Sequence, residues 1–176
     1  IKEADIYHDG LRLPFDSLRL QSSTECDRKT ISLKSTEIDA ALSGKFSIRD
    51  LPDALNGIMN RYYPSQFPQR RQPTSNEDFI FFVYAKNIQD YLHLFNQPWK
   101  GFNYSTLSGR IDDRQNIFDV EMDIPQFQYN TTTFYNLKIK GNGDDTRLGL
   151  DASIGLIELN ENNSLPGTSI EIVSSQ

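Results

Sequence analysis

The chain has 176 residues but only one cysteine, two histidines and one tryptophan, and it contains no long apolar run. Cys26 on its own supports neither an intramolecular disulfide framework nor a multi-cysteine metal site. His8 and His93 are far apart and neither has a ligand pattern beside it, so both read as surface imidazoles rather than a metal or general-base pair. Nothing approaches the roughly 18 apolar residues that suggest a membrane-spanning helix. Basic residues number 18 against 24 acidic, a net charge of −6, which argues against nucleic acid as a partner. The first residues, Ile1 to Asp5, carry no initiator Met and no signal peptide. An internal piece of a longer protein is therefore expected, with any targeting or anchoring element outside it.

Motifs for chemistry are missing too. There is no G-x-S-x-G nucleophile elbow. Asp112-Asp113 and Asp144-Asp145 lack the spacing of a calcium loop and read as turn residues. Gly141-x-Gly143 lacks the rest of a phosphate loop. Asn103, Asn130 and Asn162 begin glycosylation sequons, which chance supplies readily in a chain so rich in Ser, Thr and Asn. No catalytic residue, cofactor or metal is assigned, and an enzyme is not expected.

What the chain does have is aromatic residues, eleven Phe and eight Tyr, and long stretches of alternation. Ile31 and Leu33 share one face, and Ile38, Ala40 and Leu42 continue it after a phase change at Ser35–Glu37 that a bulge would accommodate. Phe46 and Ile48 extend the pattern past Gly44. Phe118, Val120, Met122 and Ile124 follow, then Phe127 and Tyr129 after a second phase change at Pro125. Leu137 and Ile139, then Leu148, Leu150, Ala152 and Ile154, then Ile170 and Ile172 complete the series. The alternate positions are polar: Asp119, Glu121, Asp123, Lys138, Lys140, Asp151. One face is apolar and the other wet, the signature of antiparallel strands with one side in water. Turn residues at Asp112–Asn116, Gly141–Asp145 and Asn160–Asn163 separate the runs.

Two short helices are predicted. Asp50–Tyr63 has Asp50 as N-cap, a stripe of Leu51, Leu55, Ile58, Met59 and Tyr62, and Pro64 as its stop. Asn87–Phe95 carries Ile88, Tyr91, Leu92 and Phe95 on one face. Pro64–Glu77, with three prolines and Arg70-Arg71, reads as an exposed loop. Phe79–Tyr84 is apolar at every position and is expected to be sandwiched between sheet and helix. Trp99, Phe102 and Tyr104 fit core and hinge packing or a sugar-stacking platform.

The chain also repeats itself. LSGKF (42–46) returns as LSGRI (107–111), FDSLRLQ (15–21) as FYNLKIK (134–140), and TISLKST (30–36) as TRLGLDA (146–152). Recurring strand units imply stacked elements that share one apolar face. These steps, the run from Leu107 to Ile154, and the strand-to-helix stretch Ser47–Tyr63 resemble the repeats of the AsmA/TamB superfamily, most closely the TamB-like proteins of the Bacteroides group. The resemblance implies a periplasmic protein anchored in the inner membrane, its long sheet curled into a taco-shaped trough with an apolar interior. It implies phospholipid acyl chains as cargo moving towards the outer membrane, or help to outer-membrane protein assembly beside a barrel partner.

The fold expected is mainly β, a curved antiparallel sheet with two short helices. It divides into a β repeat unit (1–48), a helix-loop-strand-helix insert (49–102) and a β-meander unit (103–176). Under the same resemblance a lipid groove would be lined by Ile31, Leu33, Ile38, Leu42, Val120, Met122, Ile124, Leu137, Ile139, Leu148, Leu150 and Ile154. The alternative is a β-rich module that binds glycan or protein. A third reading, a fragment of an enzyme whose other residues lie elsewhere, has no motif behind it.

Overall fold

The computed structural model describes residues 2–8, 11–62, 65–68, 77–92, 98–144 and 146–175. The architecture is a single curved, open antiparallel sheet. In chain order its strands are β1 (Lys2–His8), β2 (Leu11–Glu25), β3 (Arg28–Ser35), β4 (Ile38–Lys45), β5 (Asp78–Ala85), β6 (Trp99–Gly101), β7 (Ser105–Asp112), β8 (Ile117–Tyr129), β9 (Thr132–Gly143), β10 (Arg147–Asn160) and β11 (Asn163–Ser175). They lie side by side in sequence order, except that β6 is off the path and pairs with the far part of β8. Helix α1 (Leu51–Tyr62) joins β4 to β5, and the one-turn α2 (Gln89–Leu92) lies between β5 and β6.

Tight polar turns make this order possible, because antiparallel neighbours need only a short connection. Cys26 and Asn130 adopt left-handed φ values of 56° and 54° in the β2–β3 and β8–β9 turns. Asp112 shapes the β7–β8 turn by accepting the N–H groups of Arg114 and Gln115, both at 3.1 Å. Asp144 does the same before β10 with the N–H groups of Thr146 and Arg147. Asn and Asp suit these places because their side chains replace missing backbone partners.

Several expectations are corrected. The phase change at Ser35–Glu37 is not a bulge: the chain reverses there, and Lys34 pairs with Asp39. The Ser35 hydroxyl holds the turn, accepting from the N–H of Ile38 at 2.9 Å and donating to its carbonyl at 3.1 Å. β4 ends at Lys45, so Phe46 turns into the core while Ile48 is exposed. β5 is not sandwiched: Phe79 is buried, but Ile80 and Phe82 on the opposite face are exposed. The Gly141–Asp145 turn begins later than expected, since β9 runs through Gly143.

The helices differ in the same way. In α1 the inward residues are Leu51, which packs on the core, and buried Ala54, whereas Leu55 of the predicted stripe is exposed. The side chains of Ile58 and Tyr62, and Tyr63 itself, lie outside the described residues. α2 is four residues long, and the predicted continuation to Phe95 lies outside the description. Of the Pro64–Glu77 loop, residues 65–68 are exposed, 69–76 (with Arg70 and Arg71) lie outside the description, and Glu77 is fully buried.

The most buried residues sit at the α1 end of the sheet, where Phe46, Phe79, Ile111 and Leu148 form a cluster with Ile31, Leu42, Leu51, Phe81 and Phe118 against it. Glu77 ties this corner together: its carboxylate accepts the Ser47 N–H at 3.1 Å, and its carbonyl accepts the Asp113 N–H at 2.8 Å. The repeated LSG steps flank β5 on either side, with Gly44 opposite Phe79 and Gly109 opposite Phe81. A Cβ on Gly44 would fall 2.6 Å from the Phe79 Cα, and one on Gly109 would fall 2.7 Å from the Phe81 ring. Glycine lets the β5 backbone come close at Gly44, and at Gly109 it leaves room for the Asp119 carbonyl and the Phe81 ring.

Candidate functional site

The strand registers show how the alternating residues line up. Across the sheet, Ile31 pairs with Leu42, Leu42 with Phe81, Phe81 with Gly109, Gly109 with Val120, Val120 with Gly141, Gly141 with Leu150 and Leu150 with Ile172. One step along, Leu33, Ala40, Val83, Leu107, Met122, Ile139, Ala152 and Ile170 form a second unbroken row. Ile38, Ile124, Leu137 and Ile154 lie two residues further along their strands, and Leu148 two residues the other way. Residues two apart share a face and direct partners share a face, so all twelve predicted groove residues are on one side of the sheet.

Their burial is uneven. Ile124 and Leu148 are buried, at 6% exposure each. The other ten, Ile31, Leu33, Ile38, Leu42, Val120, Met122, Leu137, Ile139, Leu150 and Ile154, are half-buried. Helix α1 reaches this face through Leu51, at the Phe46–Leu148 corner.

The opposite face carries charge in register. Glu121 faces Lys140 at 2.8 Å and Asp123 faces Lys138 at 3.5 Å across β8–β9. The hydrogen bond from Lys140 holds the Glu121 carboxyl below its ordinary range, and Glu121 in turn raises Lys140. Each exposed cross-strand pair contributes little, about 0.2–1 kcal/mol. Their larger effect is on register: a slip by one residue would bring these charges to the apolar side.

A second feature crosses β8 to β11. The ladder passes from Ile124–Leu137 to Gln126–Tyr135, leaving Pro125 and Asn136 unpaired, and the same row continues through Gly155 and Gly167. Asn136 has a left-handed φ of 53°. Pro125 is tolerated within β8 because it sits at the break in the β8–β9 ladder opposite Asn136, where no pair needs its missing N–H. The phase change at Pro125 is therefore a crease with unchanged register. Beyond it the aromatic residues gather: Phe127 stacks on Phe134 at 4.6 Å, and Trp99 meets Tyr129 at 4.6 Å and Phe102 at 6.0 Å. Trp99 and Phe102 thus pack in the predicted hinge, while Tyr104 is 66% exposed.

Of the remaining candidates, His8 and Cys26 do not converge. His8 pairs with Leu11 at one end of β2 and Cys26 lies in the turn after the other end, roughly 45 Å away along the strand. His93 lies outside the described residues. Among the described residues no group of three or more His, Cys, Asp or Glu is placed to hold a metal, and no helix is long and apolar enough to cross a membrane. Sequence reasoning missed the burial of Glu77 and the crease. The first had no local signal, whereas the second is marked by a Pro, an Asn and two Gly that only the pairing aligns. No protein-family model, curated protein or solved structure matches this chain.

Proposed function

We propose that this chain is a non-catalytic segment of an AsmA/TamB-like cell-envelope protein, whose apolar sheet face carries phospholipid acyl chains between inner and outer membranes. A periplasmic location, an inner-membrane anchor elsewhere in the protein, and contact with an outer-membrane assembly barrel through other regions belong to the same proposal. The observation that supports it is the pair of apolar rows running from β3 to β11 without a charged residue in either.

Those rows cross eight strands, a distance of roughly 34 Å at about 4.8 Å per strand. An acyl chain lying along them gains about 0.8 kcal/mol for each methylene taken out of water, and it asks for no hydrogen bond. The ion pairs on the other face keep that side in water. An ordinary core would need a second layer over the middle rows; the described part of α1 meets the face at one corner.

Photo-crosslinking tests the reading. A benzoylphenylalanine replaces Val120 or Ile139 in the full-length protein in cells, with Glu121 and Lys138 as outward controls. Phospholipid adducts at the first two positions and none at the controls are expected. Absence of adducts at Val120 and Ile139, or equal labelling at all four, contradicts the reading.

A further inference from the structure

We propose that a hollow at the crease, separate from the apolar rows, binds a pyranose ring of a glycan stacked on Tyr104. The hollow, about 430 Å³, lies between α2, the β6–β7 connection and β8. Among the described residues, none that lines it is acidic, in a chain of net charge −6. Its walls combine two chemistries. Phe127 and Pro125 supply apolar surface, while Gln89, Gln126, Gln128 and Asn103 supply amides, each able to donate and accept.

These amides divide by role. Asn103 is fixed in the scaffold: its Oδ1 accepts the N–H groups of Ile88 and Gln89 at 2.9 and 3.1 Å, and its Nδ2 donates to Asn87. Gln128 donates to the Asn130 carbonyl at 2.7 Å. The side chains of Gln89 and Gln126, the Lys100 amine and the Tyr104 hydroxyl have no such commitment among the described residues.

Tyr104 supplies the platform. It has a left-handed φ of 62°, costly for a bulky residue, yet its ring points outward at 66% exposure. Phe102, at φ 66°, shares the backbone strain but stacks inward on Phe127 at 5.2 Å, so packing accounts for it. Packing does not account for Tyr104. A pyranose has an apolar C–H face and a rim of hydroxyls that both donate and accept, which matches an aromatic face ringed by free amides. An acyl chain would leave those amides unpaired, and a polyanion would find a single lysine.

Trp99 is the sole tryptophan, and its ring lies 6.0 Å from that of Phe127, so intrinsic fluorescence reports on the hollow. Titration with chitotriose, maltotriose and xylotriose to about 10 mM is expected to give a saturable change with at least one. Tyr104→Ala should weaken that sugar about tenfold or more and Gln126→Ala several-fold, while Tyr104→Phe retains binding. Circular dichroism checks that each variant stays folded. The proposal is overturned if no sugar gives a saturable change, or if Tyr104→Ala and Gln126→Ala both bind like the parent. Neither result bears on lipid crosslinking at Val120.

Discussion

At the scale of single residues, the sheet depends on a few positions whose chemistry cannot be exchanged. Glu77 is fully buried and holds the Ser47 N–H. Glu77→Ala would leave that donor without its partner in a closed corner, at a cost of about 2–3 kcal/mol. Thermal unfolding should show a fall of roughly 5–10 °C; an unchanged midpoint would remove Glu77 from the account. Glycines give a test in which one substitution has opposite signs. A Cβ at Gly109 meets the Asp119 carbonyl oxygen at 2.3 Å and the Phe81 ring at 2.7 Å, whereas one at Gly57, within α1, meets nothing within 4 Å. Gly109→Ala should destabilise by about 1–3 kcal/mol, and Gly57→Ala should stabilise by up to about 1 kcal/mol. Denaturant midpoints that moved the same way in both variants would contradict this close approach of the β8 backbone and the Phe81 ring to Gly109.

Among the elements, the turn joining β3 to β4 connects sequence to a measurable pH effect. Lys86, just past β5, reaches back to the Asp39 carboxylate at 2.8 Å and the Ser35 carbonyl at 2.9 Å. That hydrogen bond from Lys86 holds the Asp39 carboxyl below its ordinary value of 3.8. A carboxyl depressed in the folded state contributes stability above its unfolded value and loses it as the pH falls through the folded one. The midpoint of unfolding should therefore drop less steeply in Asp39→Asn than in the parent as the pH falls below about 4. Parallel curves would show that the pair contributes nothing. The effect is small, since both side chains are about a third exposed.

This turn also shows how far local pattern can be read. The alternation of Ile31 and Leu33, then Ile38 and Leu42, was legible, but a bulge and a reversal both change the phase of a period-two pattern. Only pairing separates them. Likewise Ile80 and Phe82 are apolar in a central strand, so hydropathy suggested a cover, yet both are exposed. The Leu51–Tyr62 helix was legible from its cap and spacing. Its inward face, centred on Leu51 and Ala54 rather than Leu55, depends on where the sheet approaches it.

For the whole molecule, the sheet runs across the three expected units (1–48, 49–102 and 103–176). β5, from the 49–102 segment, pairs with β4 on one side and β7 on the other, so the ladder is continuous from the first segment to the last. The repeated sequences mark equivalent strands rather than tandem units: the LSG steps fall on β4 and β7, on either side of β5. That the twelve predicted groove residues share a face was legible, because period two fixes a face once register is known. The crease was not, because Pro125, Asn136, Gly155 and Gly167 are dispersed in sequence and meet only through pairing.

The lipid proposal requires the face bearing Val120 and Ile139 to be an open lining and not a closed core. An unpaired ammonium buried in a core destabilises the fold severely, whereas at an open surface a lysine can keep its charge in water. The most direct measurement is therefore thermal unfolding of Ile139→Lys, with lipid crosslinking read from benzoylphenylalanine at Val120 in the same protein. An open lining should give a folded protein melting within a few degrees of the parent, with the Val120 lipid adduct lost. Global unfolding of Ile139→Lys, or a folded variant whose adduct is undiminished, would contradict it.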